Sequence, residues 1–80
     1  MHELAVAQSI VDKVSETAAG RRVLKVTLEI GATSCVSADA IAFSFDLVAE
    51  GTVAQGAMLD IRPVAGEALN LKSMEIEGVA

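Results

Sequence analysis

Eighty residues with one Cys, no Trp or Tyr, two Phe and a net charge of −5 leave room for one small domain around one core, and exclude a second folded domain. A hydrophobic share of 52% against 21% charged residues is far from the signature of disorder, so the chain is expected to fold. Six Lys and Arg against eleven Asp and Glu form no basic stripe, which sets aside nucleic-acid binding.

From Leu4 onward, Leu4, Ala7, Val11, Val14 and Ala18 recur at steps of three and four, with Ile10 beside them, and this spacing predicts an amphipathic helix from about Glu3 to Ala19. His2, Glu3, Asp12, Lys13 and Glu16 within that segment set aside a signal peptide or a membrane span, and the lone Cys35 cannot close an intrachain disulfide. A reducing, cytoplasmic location is the expectation. Gly20 supplies the positive φ that commonly follows a helix end, and Arg21 and Arg22 lead away from it. Leu24, Val26, Leu28 and Ile30 then alternate with Lys25, Thr27 and Glu29, which reads as a strand with four apolar side chains on one face.

Gly31 breaks that strand. Ser37 stands as an N-cap, with Asp39 favourably placed in the first turn of a second helix over roughly Ala38 to Glu50. Ile41, Phe45 and Val48 share one side of this helix and Ala40, Phe43 and Leu47 lie beside them, a width that predicts deep burial. Gly51 and Gly56 bracket a loop, after which Met58 to Arg62 reads as a strand with Leu59 and Ile61 inward. Pro63 ends it or places it at an edge. In the last segment Leu69 and Leu71 keep one phase of alternation and Met74 and Ile76 the other, which a bulge near Ser73 reconciles. The short link from Val64 to Ala68 suits an antiparallel hairpin. The expected fold is α+β in the order α-β-α-β-β, a three-stranded mixed sheet with both helices packed on one face.

Donor atoms are richest at the chain start. The α-amine of Met1 and the next amide nitrogen close a five-membered ring on a metal, the His2 imidazole closes a six-membered ring on that same amide, and Glu3 adds an amide or a carboxylate. Such a nitrogen-rich, tetragonal set suits Ni(II) or Cu(II). The positive end of a helix beginning there opposes a cation, so binding should fray the first turn.

Met1-His2-Glu3 followed by Leu4-Ala5-Val6-Ala7-Gln8-Ser9-Ile10 resembles the start of the HypA family, nickel metallochaperones of [NiFe]-hydrogenase maturation. Val26-Thr27-Leu28-Glu29-Ile30-Gly31, Ser34-Cys35-Val36-Ser37, Phe43-Ser44-Phe45, Gly51-Thr52, Leu59-Asp60-Ile61 and Leu71-Lys72-Ser73-Met74-Glu75-Ile76-Glu77 extend the resemblance over essentially the whole chain. It implies nickel held by Met1 through its amine, His2 through side chain and amide, and Glu3 through its amide. It also implies delivery to a hydrogenase large-subunit precursor, with the nickel-handling GTPase HypB as partner. One departure stands out: the family's zinc-binding insert with two Cys-x-x-Cys pairs is absent between about residues 63 and 69. The expectation is a single nickel-binding domain, residues 1–80, that binds no zinc.

Other residues have plainer readings. Cys35, just before a helix start, is either a reactive thiol or, more simply, a packing residue. Asp39 is accounted for by the helix dipole, Met58 and Met74 by core filling, and Glu50, Asp60, Glu67, Glu75 and Glu77 by a solvated surface. A metal-free interaction module is the alternative to a nickel carrier, and open sheet edges leave room for a homodimer or a strand-swapped form. An enzyme ranks last, because no nucleophile with a nearby base and no phosphate-cradling glycine motif is present.

Overall fold

The computed structural model describes residues 2–34 and 37–78. The three-and-four spacing winds α1 (His2–Ala18), whose Ala7, Ile10, Val11, Val14 and Ala18 form one buried stripe. Leu4 keeps the spacing but lies at the edge of the stripe in the first turn and is exposed. The chain turns out of α1 through two left-handed residues, Ala19 at φ 52° and Gly20 at φ 88°. Glycine takes that conformation freely, whereas Ala19 does so at a cost of about 1 kcal/mol.

The strand that follows, β1 (Val23–Gly31), is the middle of the sheet, with strand order β2-β1-β3 for β2 (Met58–Val64) and β3 (Leu69–Ile76). Val26, Leu28 and Ile30 face the core as their alternation predicts. Leu24 does not: it is 46% exposed while Val23 is buried. The register with β3 slips between Val23 and Lys25, so Leu24 is the extra residue of a bulge and its neighbour takes the inward position. A second slip places Lys72 as the extra residue on β3, between Leu71 and Ser73, and lets Leu69, Leu71, Met74 and Ile76 all pack against the core. The change of phase in the sequence reports that bulge directly.

The second helix, α2 (Ala38–Ala49), is capped by Ser37, whose hydroxyl accepts from the Ala40 N–H at 3.3 Å. Ile41, Phe45 and Ala49 enter the core, packed beside α1. The expected burial of most of its circumference is not what forms, since Phe43 and Leu47 stay outside. After α2, residues 50–57 fold onto the start of β1. The Val23 N–H donates to Val53 C=O at 2.9 Å, the Arg22 guanidinium donates to Gln55 C=O at 2.9 Å, and Ala54 and Ala57 are buried. β2 then pairs parallel to β1 as an edge strand that contains Pro63, at a position an edge tolerates. Leu59 and Ile61 pack inward, but Met58, expected in the core, is 65% exposed because it shares the outer face with Lys25 and Asp60.

The link between β2 and β3 is not a hairpin. The two strands lie on opposite sides of β1, so residues 65–68 cross the end of β1 as a strap. Gly31 N–H donates to Ala68 C=O, Ala32 N–H to Val64 C=O, and both the N–H and the hydroxyl of Thr33 to Gly66 C=O. The crossing is so close that a Cβ on Gly31 would lie 2.6 Å from Gly66 C and 2.7 Å from Glu67 Cα. Gly31 is thus a strand residue chosen for close approach rather than a strand breaker.

Residues 19–22 turn α1 straight into β1, and α2 must return for β2 to run parallel to β1. Both helices therefore point their N-termini toward the end where β1 finishes and the strap crosses. Replacing Gly31 with Ala should lower stability by about 1–3 kcal/mol, the usual cost of overpacking, read as a fall in the urea midpoint at unchanged m-value. An unchanged midpoint would contradict the crossing.

Candidate functional site

Because α1 begins at His2, the amides of His2 and Glu3 are among the first four N–H groups, which have no acceptor within the helix. Using them as metal donors breaks no hydrogen bond of the helix's own backbone ladder. Met1 and the side chain of His2 lie outside the described residues. Glu3 is the member of the predicted set whose side chain is described, and it sits in the first turn of α1, where a carboxylate complements the partial positive charge.

The Glu3 carboxyl is lowered from its ordinary 4.5 to about 2. Hydrogen bonding by the chain's terminal ammonium contributes most, and the backbone N–H groups of Glu3 itself and of Ser37 act in the same direction. The Ser37 contact joins the start of α1 to the cap of α2, and it follows from the parallel setting of the two helices. Nothing in the local sequence signals it, because the partners are distant in the chain and meet only once β1 has returned.

Other features gather at the same end. A surface cavity of about 330 Å³ opens between the end of β1 and β2, lined by Ile30, Ala32, Ser34, Ala38, Ile61 and Pro63. Its walls are mostly apolar and bring no second donor cluster. Among the described residues, no group of three or more His, Cys, Asp or Glu side chains is arranged to hold a metal ion. Cys35 lies outside the described residues. Asp39 is exposed in the first turn of α2, where the helix dipole accounts for it, and Met74 packs against the core. The remaining acids are spread over the surface, with Asp60 paired to Arg62 at 3.1 Å. The outer sheet face also carries a contact between Lys72 and Glu29 at 3.9 Å. No helix among the described residues is long and apolar enough to cross a membrane.

Residues 1–76 match the family described as "Hydrogenase/urease nickel incorporation, metallochaperone, hypA". The hydrogenase maturation factor HypA of a Nostoc species is 47% identical over 66 residues, which cover 82% of this chain and 58% of that protein. The corresponding factor of Geotalea daltonii is 50% identical over 64 residues, covering 80% and 58%. The chain thus spans under two thirds of the length of the relatives it matches. In fold it resembles the solution structure of the Ni metallochaperone HypA from Helicobacter pylori, with a TM-score of 0.68 at 17% identity over 98% of this chain and 88% of that one.

A carboxylate whose folded pKa is depressed stabilises the fold above its unfolded value and loses that contribution as pH falls toward the folded value. The Glu3 contribution should therefore be complete above about pH 4.5 and decline toward pH 2. A titration of the Glu3 side-chain carbon by NMR should show its midpoint near 2, and Glu3→Gln should remove that part of the acid dependence of stability. A midpoint above 4 would show that the contact with Ser37 and the chain start does not form.

Proposed function

Because the chain belongs to the HypA family of hydrogenase and urease nickel-incorporation metallochaperones, we propose that it is a nickel carrier which takes up Ni(II) at its first three residues. Met1 provides its amine, His2 its imidazole and amide nitrogen, and Glu3 its amide. The observation that carries this reading is that α1 begins at His2, which places those amides in the first turn, outside the helix's own i→i−4 backbone bonds. The Glu3 carboxylate adds a negative charge that offsets the positive helix end facing the cation. Nitrogen donors of this kind form the tetragonal set that Ni(II) favours. The metal is cargo here, and the rest of the domain, residues 1–80, holds and displays its binding end.

In this proposal the carrier acts in the cytoplasm, not as an enzyme. It hands nickel to a hydrogenase large-subunit precursor with the GTPase HypB as partner. One Cys cannot supply the four-thiolate site of the family's zinc module, so the proposal includes no structural zinc. The strap of residues 65–68 joins the two strands between which the resemblance puts the family's zinc module, and its two ends straddle the end of β1. This supports reading the chain as a form without that module, rejoined by a short crossing.

A metal-free interaction module is the second reading, favoured by the exposed apolar side of α2. Edge pairing into a homodimer is discouraged by Pro63 on β2 and by the Lys72 bulge on β3. Exchange of β3 through an opened strap is the dimer form that the topology leaves available.

Titrating Ni(II) into protein with an unmodified first residue should give close to one ion per chain. His2→Ala, or one extra residue ahead of Met1, should abolish uptake, and binding should fall as pH drops through the ordinary amine and imidazole values of about 7.7–8.0 and 6.5. Equal uptake by all three proteins would overturn the carrier reading and leave the interaction module.

A further inference from the structure

Neither the core nor the chain start uses the outer side of α2. Phe43 is 68% exposed and Leu47, one turn on, is 51% exposed, while Ile41 and Phe45 on the inner side are buried. One of the two aromatic side chains in the chain thus stands in solvent. At 3.6 residues per turn, Asp39, Asp46 and Glu50 all lie within about 60° of Phe43, on one flank of it. All three are exposed and make no ion pair among the described residues, and α2 contains no Lys or Arg.

Two of the three acids are not explained by the helix itself. Asp39 lies at the positive end of α2, but Asp46 is in the last turn and Glu50 is the C-cap, at the negative end where a carboxylate opposes the dipole and a cation would support it. Two carboxylates placed against local stability, in line with a third and beside an exposed Phe, fit a surface selected for contact.

We propose that the outer side of α2 docks a partner protein whose surface offers an apolar recess for Phe43 and Leu47, flanked by Lys or Arg that face Asp39, Asp46 and Glu50. A second copy is the poorer fit, since its α2 brings the same three carboxylates and no cation. The same carboxylates repel an anionic lipid surface or a nucleic acid. The proposal rests on neither the nickel ligands nor the metal's presence, so its test is run without metal.

A display library of random dodecapeptides is panned against the full chain in metal-free buffer and counter-selected against Phe43→Ser. The expected binders combine apolar residues with several Lys or Arg. Their affinity should fall at least about tenfold both with Phe43→Ser and with the pair Asp46→Lys/Glu50→Lys. It should also fall as salt rises from about 50 to about 300 mM. Both variants alter exposed residues, and the Lys pair complements the helix dipole, so circular dichroism and melting should match the parent. Three results would each overturn the proposal: no enrichment over Phe43→Ser, binders without basic residues, or affinities indifferent to the Lys pair. A dimer in sedimentation that Phe43→Ser dissolves would also overturn it and assign the face to a second copy.

Discussion

The structure depends on one constraint: β1 is hydrogen-bonded on both sides, so β2 and β3 can be joined only by passing across its end. That crossing needs a residue without a side chain at Gly31, and the N–H groups of Gly31, Ala32 and Thr33 all donate to the strand ends and the strap. With β1 central and β2 parallel to it, α2 has to return over the same face as α1, and the helix starts meet where the strap passes. The end at which α1 begins is thus built by long-range topology.

Much of this was legible in the residues. The spacing in α1, the Ser37 cap and the alternation of Val26, Leu28 and Ile30 fix local structure by propensity and burial, and they read through to the fold. The shift of phase between Leu71 and Met74 located a bulge, because a strand can bury both pairs only if one extra residue intervenes. The slip at Leu24 was hidden, since Val23 and Leu24 are both apolar and either could face inward. The strap was hidden for a different reason. A few residues suffice either to turn a hairpin or to step across one strand, roughly two spacings of 4.8 Å, so loop length does not separate the two.

The candidate site shows the same division. Met1, His2 and Glu3 are proposed on donor type, and the resemblance to the HypA family implies the same residues. The link from Glu3 to Ser37 was not visible, because it exists only when α1 and α2 lie side by side. On α2, an apolar circumference looked like a buried helix, and only the position of the sheet shows that Phe43 and Leu47 face away from it. The two proposals thus assign the domain separate working surfaces: an end rich in nitrogen donors, and a helix side with apolar and acidic character.

The most direct test of this account is an amide NMR titration with Ni(II). If the metal binds at the chain start, the Glu3 amide signal should be lost and Leu4 shifted. Ser37 and Ala38 should shift in step because the Glu3 carboxylate contacts Ser37, while residues 53–57 at the opposite end stay unchanged. Perturbation centred on any other region, or none at stoichiometric metal, would contradict it.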